Sequence, residues 1–361
     1  MSVILVRPQA DGGLAAHVDQ ELDELAAAGL DVRQAPVRIQ DRPRPLADLR
    51  TVRTLRRCLE TAPTPVAVHA HGLRAGALAA LAVPRSGPAH LAVTLHNRTV
   101  GPLPVRAVGT LLLRLLARRA DTVLTVSPDL AEDARRAGAR DVRHAVIPAP
   151  ESPLPGVPAQ KGAAARRTQT PSIRSHVPGT GGAAMAERPL DVLVVARLAS
   201  QKGLDGLLDA AALLDRDSVR IRVAGEGPLH AALQDRIRAE HLPVQLLGRR
   251  EDVPALLERA DLVVSAAIWE GQPVWLQEAL RAGRAIVATD AGGTRWVTGE
   301  AAQLVPVGDP AALADAITAH HELERRRRGE ERSRRRAEQL PTAGDMVRQL
   351  TDILVPTRGR W

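Results

Sequence analysis

Short, predominantly apolar runs recur through the first 150 residues: SVILVR, PVAVHA, HLAVTLH, DTVLTV and RHAVIP. A strand with one wet face alternates polar and apolar residues. These do not, so each must be covered on both faces, which is the condition of a parallel sheet sandwiched by helices. The stretches between them carry helical spacing over residues 14–28, 73–81 and 105–119. The spacing predicts a doubly wound α/β domain over residues 1–150.

Residues 151–189 break the pattern with Pro, Gly, Ala, Ser and Thr and read as a linker. The alternation then resumes with DVLVVAR, VRIRVAG, PVQLLG, DLVVSA, AIVAT and AQLVPV as strands, and with helices over 204–214, 228–240, near Pro254, and 273–282. A second α/β domain is expected over residues 190–340. Further helices are expected over 310–320, 324–340 and 344–354, with residues 341–361 forming a closing helix and tail that crosses back to the first domain.

Several classes are set aside at once. A single cysteine, Cys58, cannot build a disulfide framework, and the four apolar residues before Arg7-Pro8 are too few for a signal peptide. No run reaches the roughly 20 apolar residues that cross a bilayer. A cytoplasmic protein is expected, with no nucleic-acid partner. The formal charge of +8 concerns association rather than fold.

Ligands of parallel sheets bind beyond the carboxyl ends of the strands. In the first half those ends carry Gly12, Gly13 and His17, then His69 and His71 in HAHG, then His96 in TLHN. In the second half Arg197 and Lys202 flank a strand-to-helix loop and suit the phosphates of a nucleotide diphosphate. Gly225 lies in GEGP, which lacks the third glycine of a dinucleotide fingerprint. The segment WEGQPVWLQEAL places Glu270 on a loop, Gly271 and Pro273 at a helix start, and Glu278 on that helix. Two carboxylates there can take hydrogen bonds from separate hydroxyl-bearing parts of one ligand.

Together these motifs resemble the retaining nucleotide-sugar glycosyltransferases of family four. The ordered set is the Gly-Gly loop, HAHG, TLHN, TVSPDL, ARL-x-x-x-KG, GEGP, LG-x-R with VPALL, the two glutamates eight apart, and Gly292-Gly293 followed by LVPVGDP. The resemblance implies a GT-B architecture, two Rossmann-like parallel-sheet domains facing a central cleft. It implies that Arg197 and Lys202 grip the diphosphate, that Glu278 holds the ribose and that Glu270 holds the transferred sugar. Gly271, Gln272, Pro273, Gly225 and Arg249 complete the donor site, His96 is the active-site histidine, and Gly12, Gly13, His17 and His71 line the acceptor side of the cleft. Gln272 stands where an apolar or aromatic residue is usual, Val146 to Pro150 lacks an Asn-Gly, and Gly292 to Trp296 lacks an acidic residue. These departures leave the donor sugar open.

The implied reaction is hexosyl transfer from a UDP- or GDP-sugar to a cell-envelope glycan, a lipid or a small molecule, with retention and without a metal or other cofactor. Asp215-Arg216-Asp217 precedes a strand, the wrong end of the sheet for an Asp-x-Asp metal motif, and reads as a turn. Two other readings stay open: a nucleotide-sugar epimerase, and a basic binding protein acting through Arg325 to Arg328 and Arg334 to Arg336. Glutamates interleave those arginines, which favours a solvated helix and leaves peripheral contact with anionic membrane, at its inner face, as the remaining use.

Overall fold

The computed structural model describes residues 2–9, 13–40, 43–84, 89–99, 101–149 and 188–355. The expected linker falls almost wholly outside these residues. The first domain contains strands β1 (Ser2–Val6), β2 (Asp31–Gln34), β3 (Val66–His71), β4 (Ala89–Leu95), β5 (Thr122–Thr125) and β6 (Val142–His144). All pair in parallel, in the order β2-β1-β3-β4-β5-β6. Helices α1 (Gly13–Ala27), α2 (Pro45–Glu60), α3 (Leu73–Ala82), α4 (Leu103–Ala117) and α5 (Pro128–Ala137) alternate with them.

The second domain has β7 (Leu190–Val195), β8 (Val219–Ala224), β9 (Val244–Gly248), β10 (Leu262–Ser265), β11 (Ala285–Thr289) and β12 (Ala302–Val305). They form a parallel sheet in the order β12-β11-β10-β7-β8-β9, the Rossmann arrangement. Its helices are α6 (Leu204–Ala212), α7 (His230–Ala239), α8 (Val253–Arg259), α9 (Val274–Arg281), α10 (Thr294–Thr298) and α11 (Pro310–Ala319), followed by α12 (Leu323–Ala337) and α13 (Ala343–Leu354).

Burial on both faces explains the predominantly apolar runs. Successive strand residues point to opposite faces. On β7, Val192 and Val194 join one apolar cluster while Leu193 joins another. With no Phe or Tyr in the chain, aliphatic side chains fill these cores.

Helix α13 begins with a capping box between Thr342 and Asp345. It packs Met346, Leu350, Ile353 and Leu354 into the core of the first domain, although it follows the second in sequence. Gln349 ties it there, its amide oxygen accepting from Val146 N at 2.9 Å and its amide nitrogen donating to His144 O at 2.8 Å. Among the described residues no helix is long and apolar enough to cross a membrane.

Candidate active site

In the second sheet the strand order reverses between β7 and β10, so the loops leaving these two strands define the ligand crevice. The β7 loop passes Arg197, forms a short 3-10 turn over Ser200–Lys202 and opens α6 through Gly203 at φ 61°. The β10 loop interlocks with it: Ile268 N donates to Gln201 O at 2.9 Å, and Gln201 Nε2 to Trp269 O at 3.1 Å. Only glycine fits at 203, because a Cβ there would lie 2.0 Å from Ala266 O. The interlock brings Lys202 Nζ to 2.7 and 2.8 Å from the two carboxylate oxygens of Glu270, whose side chain is 5% exposed.

Glu270 sits at the seam between the domains. Gly293 N donates to Glu270 O at 2.9 Å, and a Cβ on Gly293 would stand 1.9 Å from Gly271 O. Gly271 in turn faces the first domain, where a Cβ would meet the Val126 side chain at 2.6 Å and His96 O at 3.3 Å. Next to it Gln272 Nε2 donates to His144 Nε2 at 2.6 Å and to Ala145 O. The departure from the family pattern at Gln272 therefore acts as a polar tie across the seam. Trp269 Nε1 adds a bond to Asp129 at 2.7 Å.

The other residues expected on the donor side make no side-chain bond to this pair. Arg197 is exposed and, among the described residues, its guanidinium has no hydrogen-bond or ion-pair partner. Arg249 is exposed, 3.8 Å from Glu226. Gly225, at φ 143°, lets the β8 exit approach the β7 exit; a Cβ there would lie 1.9 Å from Ala196 O. Pro273 precedes the first residue of α9. Glu278, on α9, is half-buried and its carboxylate has no hydrogen-bond partner among the described residues; burial raises the carboxyl above the ordinary value, against the pull of Arg281.

In the first sheet the order reverses between β1 and β3. Gly13 opens α1 with free space around it, and Gly12 lies outside the described residues. His17 on α1, His71 at the end of β3 and His96 beyond β4 come together, with ring centroids 5.4 to 5.9 Å apart. His71 Nδ1 lies 3.2 Å from His96 Nε2. Burial lowers all three, His17 to about 4 and His96 well below its ordinary range.

The sequence reading missed the centre of this cluster, Glu21, which is 1% exposed. His69 Nδ1 lies 2.6 Å from its Oε1, and Thr94 Oγ1 lies 2.7 Å from His69 Nε2. Burial opposes its charge, but His69 and His71 outweigh burial and hold the carboxyl well below the ordinary range. The available signal was its position four residues after His17, on the same helix face.

Two negative readings also have a structural basis. Asp215 accepts from Asp217 N and Ser218 N in an exposed turn before β8, away from both crevices. On α12, Arg336 donates to Trp296 O and Val297 O, and Arg328 and Arg334 pair with glutamates, which leaves fewer free cations than the sequence suggests.

Two Rossmann-like domains with loop-built crevices facing one seam define a GT-B glycosyltransferase. Residues 1–150 match the glycosyl transferase 4-like domain and residues 189–322 the glycosyl transferases group 1 domain, so the chain belongs to this family of glycosyltransferases. The sucrose-phosphate synthase of Thermosynechococcus elongatus superposes with a TM-score of 0.73 at 17% identity, covering 97% of each chain. Anabaena HepE, solved with UDP, superposes at 0.70 and 18% identity over 98% of this chain and 99% of its own. The phosphatidyl-myo-inositol mannosyltransferase of Mycobacterium leprae is 34% identical over 33% of this chain and 33% of its own length. The chain spans only 33% to 37% of the length of this and similar relatives.

Proposed function

We propose that the protein transfers a hexosyl group from a UDP- or GDP-sugar to an acceptor held against the first domain, with retention and without a metal at the diphosphate. The observation that carries this reading is the pairing of the partly exposed Lys202 with the buried carboxylate of Glu270 at the β7–β10 reversal. A diphosphate entering there meets the Lys202 ammonium and the partnerless Arg197. As Lys202 turns to the phosphates, Glu270 is released to accept hydrogen bonds from the sugar.

In the reaction the bond from the anomeric carbon to the diphosphate oxygen breaks, and its electron pair leaves with the diphosphate. Lys202 and Arg197 stabilise that charge, the task a cation performs in metal-dependent transferases. The acceptor hydroxyl bonds to the anomeric carbon from the same face and gives its proton to the departing phosphate oxygen. His96, kept neutral by burial, acts as a hydrogen-bond partner rather than a cation. HepE's complex with UDP-glucose supports a donor of this class.

Neither the epimerase nor the basic binding protein gains support. The engaged arginines of α12 argue against the latter. A better surface for an anionic membrane is α4, which exposes Leu103, Val105, Val108 and Leu111 beside Arg106 and Arg114. Leu103→Asp with Leu111→Asp should abolish flotation with anionic vesicles; unchanged flotation would exclude α4 as the contact.

The test of the main reading is calorimetric titration against UDP-, GDP- and ADP-sugars, followed by product analysis with any that bind. Binding to none of them would overturn it.

A further inference from the structure

The expectation that no metal is needed concerns the diphosphate, and the first domain poses a separate question. Three buried groups there, His17, Glu21 and His71, bring ligand atoms close together. His71 Nε2 lies 3.4 Å and His17 Nε2 3.8 Å from Glu21 Oε2, and one ligand atom from each residue lies within 4.8 Å of the others. Tetrahedral coordination with bonds of about 2.0–2.2 Å needs ligand separations of about 3.3–3.6 Å. Glu21 is 1% and His71 0% exposed, yet Glu21 Oε2 and His71 Nε2 make no well-formed hydrogen bond among the described residues, their mutual contact being a long 3.4 Å. Leaving such atoms unpaired in a dry interior is costly, and buried charges are ordinarily paired or bound to metal.

For Glu21 and His71 the atoms on the far side have outer partners, whereas His17 Nδ1 has none among the described residues. The Glu21 carboxylate can only accept, so His69 Nδ1 donates to its Oε1, and in that tautomer a neutral His69 accepts at Nε2 from the Thr94 hydroxyl. His71 Nδ1 can donate to His96 Nε2. Ligating carboxylates and histidines characteristically carry such outer partners, which fix their orientation and tautomer. A small cavity lined by His17, Glu21, His69, Thr94, Met346 and Gln349 adjoins the cluster beneath α13.

We infer that His17, Glu21 and His71 form a binding site for one divalent transition ion of the zinc class. Two imidazoles and a carboxylate suit a borderline ion, and three protein ligands leave a further position open. A bound ion would also set His96: with His71 donating from Nδ1, His96 Nε2 must accept, and its proton resides on Nδ1.

The experiment uses the untagged full chain, stripped with a chelator and titrated with Co²⁺ without nucleotide, so that its outcome is independent of the donor reading. One equivalent should produce the visible absorption of four- or five-coordinate cobalt, and Zn²⁺ should displace it one for one. His17→Gln and Glu21→Gln, checked for folding by circular dichroism, should weaken binding by more than about 100-fold, beyond what loss of an outer partner costs. His69→Gln should weaken it by about 10- to 100-fold. Absence of a stoichiometric cobalt spectrum in the wild-type chain would overturn the site. So would wild-type affinity in Glu21→Gln.

Discussion

Lys202 holds Glu270 through both carboxylate oxygens, at 2.7 and 2.8 Å, across the point where the second sheet reverses its strand order. The carboxylate is buried and, among the described residues, Lys202 is its one ion-pair partner. Removing one member of a buried pair strands the other's charge. Lys202→Met should therefore lower the unfolding free energy by about 3 kcal/mol, the lower end for such pairs because Lys202 is partly exposed. Urea denaturation measures it. A change below about 1 kcal/mol would mean that water reaches Glu270 freely.

The two glutamates should separate by assay. Glu278→Gln should weaken UDP or GDP binding by about 1.5–3 kcal/mol, the range for a hydrogen bond to a charged group. Glu270→Gln should lower turnover while leaving affinity for the free nucleotide nearly unchanged. The opposite pattern would exchange their roles.

Glu278 also makes a pH prediction whose sign is fixed. Its carboxyl is raised in the folded chain by burial, so the folded state holds its proton more tightly than the unfolded state. Its contribution is fully present below its ordinary value of 4.5 and is lost as pH rises through the raised value. Glu278→Gln should therefore raise the melting temperature of the ligand-free protein at pH 7, and the gain should vanish on approaching pH 4.5. An equal gain at both pH values would mean that ionisation of Glu278 is not its source.

The core strands were legible because two-sided burial writes itself as predominantly apolar runs. Edge strand β2 was not: Asp31–Gln34 is mostly exposed and has no such run. Helix α2 hid among five arginines of the segment 44–60. At the site, sequence order put Lys202 and Glu270 on separate loops, but only the sheet reversal makes them partners. Glu21 reads in sequence as one more solvated helical acid, since nothing local records that β3 and β4 bring His71, His69 and Thr94 around it. The seam was equally hidden. Gln277, 1% exposed, bonds Ala149 N at 3.0 Å and Ile147 O at 2.8 Å, contacts between segments far apart in the chain.

Gly293→Ala tests the seam. At φ −89° alanine fits the backbone, so its effect reports only the space around it. The added methyl would meet Gly271 O at 1.9 Å and Val126 O at 2.6 Å, both rigid backbone atoms on the two sides of the cleft. A loss of about 1–3 kcal/mol is expected, with turnover reduced as Gly271 shifts from His96. Wild-type stability and turnover would show that the domains part at little cost.

If Lys202 and Arg197 neutralise the departing diphosphate, no further cation is needed there. Turnover should be the same with and without added magnesium or manganese. A tenfold rise on adding either, about 1.4 kcal/mol of barrier, would assign that task to a metal.

Lys202→Arg is the sharper test, because it preserves the charge. Only two of the chain's 49 basic residues are lysines, and the other, Lys161, lies in the expected linker. An arginine at 202 could still pair with Glu270, since its planar fork matches a carboxylate, so folding stability should hardly change. That same fork is the difficulty. A compact ammonium can turn from carboxylate to phosphate about its flexible stem, whereas a guanidinium committed through two parallel bonds would keep Glu270 and miss the diphosphate. Turnover should fall by about 10²-fold, the scale of one misplaced electrostatic stabiliser, with the melting temperature nearly unchanged. Near-normal turnover with saturating donor and acceptor would mean that positive charge alone suffices at this loop, and that release of Glu270 by Lys202 has no part in the reaction.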